Sequence, residues 1–67
     1  MSTTTYRVTG MTCNHCVASV REEVGDVAGV SAVDVELASG RLTVSGEGFT
    51  DAAVRAAVEE AGYEVAP

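Results

Sequence analysis

Residues 5–25 run Thr5-Tyr6-Arg7-Val8-Thr9-Gly10-Met11-Thr12-Cys13-Asn14-His15-Cys16-Val17-Ala18-Ser19-Val20-Arg21-Glu22-Glu23-Val24-Gly25, and the apolar period changes in the middle of them. Before Gly10 the period is two. Tyr6 and Val8 fall on one face and Thr5, Arg7 and Thr9 on the other, which predicts a short strand over Thr5 to Thr9. Beyond Gly10 the spacing is three and four: Val17, Val20 and Val24 share a face while Arg21, Glu22 and Glu23 face outward. That predicts an amphipathic helix closed by Gly25. Gly10 ends the strand, and Met11-Thr12-Cys13 form a loop in which Thr12 or Cys13 begins the helix.

The remaining elements follow the same two periods. Asp26-Val27-Ala28-Gly29 is a connection. From Val30 to Leu37 the chain alternates, with Val33, Val35 and Leu37 inward and Asp34 and Glu36 outward. Ser39-Gly40 has turn chemistry, and Leu42 and Val44 alternate with Arg41, Thr43 and Ser45, so the two segments read as a β-hairpin. Gly46-Glu47-Gly48-Phe49 reads as a flexible link. Thr50 is the expected N-cap of a second helix, with Asp51 in its first turn and Val54, Ala57, Val58 and Ala61 on one face. Gly62 ends that helix, and Tyr63-Glu64-Val65 forms a last strand.

The order is β-α-β-β-α-β. This is the α+β, ferredoxin-like βαββαβ sandwich, a four-stranded antiparallel sheet with two helices on one face, expected as a single domain over residues 1–67. The topology sets the loop after the first strand beside the loop before the last, so Tyr63 is expected near the cysteines.

Composition narrows the function. A 67-residue chain is near the size at which one core barely suffices, and it has no room for a deep substrate cavity beside a catalytic apparatus. Hydrophobic residues make up 46%, with one Phe, two Tyr and no Trp, so the core is assembled from small β-branched side chains. Ten acidic residues against four basic ones give a net charge of −6. Without a basic cluster, nucleic acid and anionic membrane surfaces are poor partners. The acidity serves solubility first, and steering toward a positively charged partner second. No signal peptide is recognisable, and no apolar run approaches the roughly 20 residues needed to span a bilayer. Reduced thiols in a cytoplasmic protein are therefore expected.

Both cysteines and the single histidine lie in Gly10-Met11-Thr12-Cys13-Asn14-His15-Cys16. Thiols three positions apart come onto the same side of a first helical turn, and a helix start favours thiolate. Four readings compete. A thioredoxin-like oxidoreductase also places Cys-x-x-Cys at a helix start, but those domains are longer and carry a Trp before the motif and a proline opposite it. Here there is no Trp, and the only proline is Pro67. A structural zinc site wants four ligands, more than two Cys and one His supply. A buried, inert cysteine pair is the third reading. The fourth is a site for a soft monovalent cation. Cu(I) prefers thiolates and accepts two sulfurs in a near-linear arrangement, which leaves space for an incoming third. Ag(I) and Hg(II) share the preference.

Gly-Met-Thr-Cys-x-x-Cys at Gly10 to Cys16, with Gly29-Val30, Val33 and Val35, and Ala61-Gly62-Tyr63 near the end, resembles the heavy-metal-associated domain of copper chaperones and of P-type copper ATPases. The resemblance covers essentially the whole chain. It implies that Cys13 and Cys16 are the metal ligands and that Met11 packs its thioether under the loop. It also implies that Tyr63 covers the site, as in bacterial chaperones, where eukaryotic ones carry a lysine. His15 is expected to face solvent on the first helical turn, with modulation of cysteine acidity or metal binding in a dimer as its alternative roles. Zinc and cadmium ATPase domains of the family often carry Asp where Thr12 stands, so copper is favoured, and the periplasmic mercury-binding relatives begin with a signal peptide.

The resemblance thus implies a cytoplasmic copper(I) chaperone, not an enzyme. It would pass Cu(I) by thiolate exchange to a copper-transporting P-type ATPase or that ATPase's metal-binding domain. It is expected to be a monomer, with a copper-bridged dimer as its second state. The sequence opens with Met1 and closes at Pro67, directly after the last strand, so a free-standing carrier is expected. The N-terminal metal-binding domain of an ATPase is the nearest alternative, and a thiol-disulfide oxidoreductase the rival class. Cys13 and Cys16 could pair as a disulfide at this spacing, which would block metal binding.

Overall fold

The computed structural model describes residues 2–11 and 14–66. Its elements are β1 (Ser2–Thr9), α1 (Asn14–Gly25), β2 (Val30–Glu36), β3 (Arg41–Gly46), α2 (Asp51–Glu60) and β4 (Glu64–Val65), in the expected β-α-β-β-α-β order. The strands form one sheet ordered β2-β3-β1-β4, and every neighbouring pair is antiparallel.

Register explains how the small side chains make a core. Tyr6 pairs with Leu42 and Leu42 with Val35, while in the next row Thr4 pairs with Val44 and Val44 with Val33. Residues opposite one another project to the same face, so Tyr6, Leu42 and Val35 in one row and Val44 and Val33 in the next turn apolar side chains toward the helices. Val20 and Val24 of α1 and Val54, Ala57 and Val58 of α2 complete a single cluster with Tyr6, Val8, Val35, Leu42 and Val44. Both helices therefore cover the same side of the sheet. The opposite side carries Thr3, Thr5, Arg7, Asp34, Glu36 and Arg41, all exposed.

Several boundaries differ from those the periodicity predicts. β1 begins at Ser2 rather than Thr5, because Ser2, Thr3 and Thr4 find partners in Gly46, Ser45 and Val44 of β3. Gly25 does not close α1 as a left-handed cap; it is the last helical residue, and its φ is not positive. The helix instead tightens into turns, with Asp26 N–H donating to Glu23 O at 3.3 Å and Val27 N–H to Val24 O at 3.1 Å. Those bonds satisfy terminal carbonyls without a glycine. β2 stops at Glu36, leaving half-buried Leu37 in the turn. Gly46 closes β3 rather than opening the link that follows it. Within that link Phe49 packs against the core, which ties down a segment expected to be flexible.

The second helix follows its sequence signals closely. The Thr50 hydroxyl accepts from Ala53 N–H at 3.2 Å, and Asp51 occupies the first turn. At the other end Gly62 has φ +95°, its N–H donates to Glu59 O at 2.9 Å, and Tyr63 N–H donates to Val58 O at 3.1 Å. This is the paired-bond Schellman termination with glycine in the left-handed position. Tyr63 belongs to that cap rather than to β4, which is reduced to Glu64–Val65.

Candidate metal site

The loop after β1 is shaped from below and from one side. Val8 pairs with Val65 and Thr9 with Glu64, so the chain leaving β1 runs beside the chain entering β4. Gly10, the first residue of the loop, has φ +91°, a conformation glycine adopts without the clash a side chain would bring. A Cβ placed there would stand 3.4 Å from Cδ1 of Tyr63, so the ring lies against the loop's first residue, as the topology predicts. Met11 is half-buried and packs on the core, in keeping with an anchoring rather than an exposed role.

Asn14, His15 and Cys16 form the first turn of α1. Asn14 and His15 are exposed, as expected of the two positions between the cysteines. Cys16 is only 8% exposed. The reason is its place on the helix. Cys16, Val20 and Val24 lie four apart and are the buried residues of α1, so the thiol heads the stripe that faces the sheet. The first turn contains no carboxylate, so no negative side chain there opposes an anionic sulfur at the positive end of the helix dipole.

Thr12 and Cys13 lie outside the described residues, and with them the helix start expected at one of these two. Among the described residues, no three His, Cys, Asp or Glu side chains converge into a metal site. Gly62 ends α2 as the sequence predicts, and the Schellman cap it forms, rather than the expected strand, sets Tyr63 against Gly10.

A β-α-β-β-α-β sandwich with a cysteine heading the first helix and an aromatic ring across the preceding loop defines a small α+β metal-domain architecture, and comparison with known proteins agrees. The heavy-metal-associated domain model matches residues 5–64, and the chain belongs to that family. It is 41% identical to the copper chaperone CopZ of Bacillus subtilis over 98% of this chain and 99% of that one. It is also 43% identical to a copper-transporting ATPase of Rhizobium meliloti, over 90% of this chain but 7% of the much longer ATPase. A solved CopZ metallochaperone superposes with a TM-score of 0.93 at 30% identity, covering 97% of this chain and all of the other.

Proposed function

We propose that this protein is a copper chaperone that takes up Cu(I) between Cys13 and Cys16 and delivers it to a copper-transporting P-type ATPase. The observation that carries the reading is Gly10-Met11-Thr12-Cys13-Asn14-His15-Cys16 set between a strand and a helix whose first turn is free of carboxylates. Two soft sulfurs and no hard oxygen donor select a soft d¹⁰ ion. The full-length match to CopZ, together with the partial match to an ATPase, supports a copper cargo and a partner carrying a related domain.

The chain's own residues divide the work. Cys16, held by the helix stripe, supplies one sulfur and Cys13 the other. Met11 anchors the loop from below and Tyr63 shields it from one side. An incoming cysteine of the partner adds a third sulfur, after which the donors of this chain leave one at a time. No substrate bond is broken, so the protein acts as a carrier rather than an enzyme. It works as a cytoplasmic monomer, and a copper ion shared by two loops would join two copies.

The test is a titration of the reduced protein with Cu(I) against a competing chelator, run in parallel with Zn²⁺. Wild type is expected to take one Cu(I) per chain and to prefer it to zinc, while Cys13→Ser and Cys16→Ser lose tight binding. Retention of copper by the double variant would overturn the proposal. The second reading is that the chain works as the metal-binding domain of an ATPase, which the 43% identity to the Rhizobium meliloti protein favours. Transfer of Cu(I) from this protein to an isolated ATPase domain, followed by NMR, separates donor from acceptor.

A further inference from the structure

The chain has four basic residues in all, and the fold sets two of them directly opposite each other. Arg7 of β1 pairs with Arg41 of β3 on the sheet face that no helix covers. Val8 N–H donates to Gly40 O at 2.7 Å, which makes 8 and 40 the hydrogen-bonded pair. Arg7 and Arg41 are then the alternate, non-hydrogen-bonded pair, the kind whose side chains stand closest, with Cα atoms about 4.5 Å apart. Like charges in that relation oppose folding. In a protein of net charge −6, carboxylates are abundant, and the nearest one in the register gives one oxygen to a neighbouring hydroxyl. Glu36 lies opposite Arg41, and its Oε1 accepts from the Ser39 hydroxyl at 2.8 Å.

The two guanidinium groups, with Thr5, Tyr6 and Ser39, line a shallow depression of about 210 Å³. Tyr6 turns its ring to the core on the other side of the sheet, and its phenol donates to Asp51 at 2.6 Å, so it adds backbone rather than a side-chain donor here. The side chains left to line the depression are those of Arg7, Arg41, Thr5 and Ser39, with no carboxylate among the lining residues and Glu36 bonded to Ser39 beside them. We propose that Arg7 and Arg41 form a binding site for a small phosphate-class oxyanion, free or carried on a small phosphorylated molecule. Guanidinium forks match the geometry of phosphate oxygens, and a dianion between them removes their mutual repulsion. The depression is small, and a polyanion would meet the acidic remainder of the surface, so the ligand is a small one rather than nucleic acid. This site is independent of the cysteine loop and of the copper reading.

The experiment is an NMR titration of the reduced apo protein with inorganic phosphate at constant ionic strength, alongside phenyl phosphate, acetate and chloride. Arg7, Arg41 and Ser39 amides are expected to shift and saturate with inorganic phosphate, with phenyl phosphate, or with both. Whichever binds more tightly tells free phosphate from a carried phosphoryl group. Arg7→Gln and Arg41→Gln should each weaken binding at least tenfold, while Glu36→Gln strengthens it. Thermal unfolding gives a second readout: phosphate raises the midpoint of wild type, whereas Arg7→Gln is no less stable than wild type without phosphate and gains nothing from it. Equal shifts with chloride or acetate, or unchanged binding in both arginine variants, would overturn the site. Cu(I) uptake by Arg7→Gln stays at the wild-type level.

Discussion

Tyr6 reaches across the molecule from the middle strand β1 to the start of α2, where its hydroxyl donates to Asp51 Oδ1 at 2.6 Å. Burial of the ring, and then the Asp51 carboxylate beside it, push the phenol from its ordinary 10.0 up to about 12. Folding thus favours the protonated phenol, so the stabilisation is fully present below pH 10.0 and is lost as the pH rises toward about 12. Tyr6→Phe keeps the apolar ring and removes the donor, leaving an exposed carboxylate that water can satisfy. The expected cost is about 1 kcal/mol in neutral solution. Urea unfolding of both proteins across this range should show the gap between them closing above pH 10.0; a gap that persisted in strong alkali would count against the account. Nothing in the spacing of residues 45 apart foretold this bond, since each partner reads locally as an ordinary strand or helix residue.

Among the elements, α2 is the one whose two ends are both explained by single residues. Thr50→Ala removes the acceptor for Ala53 N–H and should cost about 1 kcal/mol. Gly62→Ala meets no neighbouring atom within 4 Å, but it forces a side chain to φ +95°, for roughly 1–2 kcal/mol. The two variants differ in their second effect. Only Gly62→Ala disturbs the turn that holds Tyr63 against Gly10, so only it should change the tyrosine environment, read by near-ultraviolet circular dichroism or Tyr63 ring shifts. α1 is different: its buried stripe of Cys16, Val20 and Val24 makes the proposed donor Cys16 part of the packing. Cys16→Ser is therefore expected to lower stability, by about 1 kcal/mol for a hydroxyl placed where an apolar thiol was enclosed, in addition to abolishing tight copper uptake.

At the level of the whole molecule, stability rests on few and small side chains. Leu42, fully buried, is the largest of the completely enclosed residues and sits between Tyr6 and Val35 in the sheet. Leu42→Ala should cost about 3 kcal/mol through lost burial and the cavity left behind. In a domain of this size each kcal/mol moves the melting midpoint by about 4–8 °C, so a fall of roughly 12–24 °C is expected in thermal unfolding. A fall of only a few degrees would mean that neighbouring valines collapse into the gap.

The sequence by itself determined the order and kind of the elements, because periods of two and of three to four are local properties that survive without knowledge of neighbours. It also marked Gly10 to Cys16 as the chemically distinctive stretch, since soft donors three apart at a strand–helix junction are legible from spacing alone. Pairing was decided by the tertiary structure. Ser2 to Thr4 become strand only because β3 is long enough to bond them, and Tyr63 leaves β4 because the helix cap takes its N–H. The enclosure of Cys16 and the opposition of Arg7 to Arg41 likewise exist only once the sheet has its register and the helices their face. Hydrogen bonds between distant segments set that register, and no local window of residues contains both of their ends.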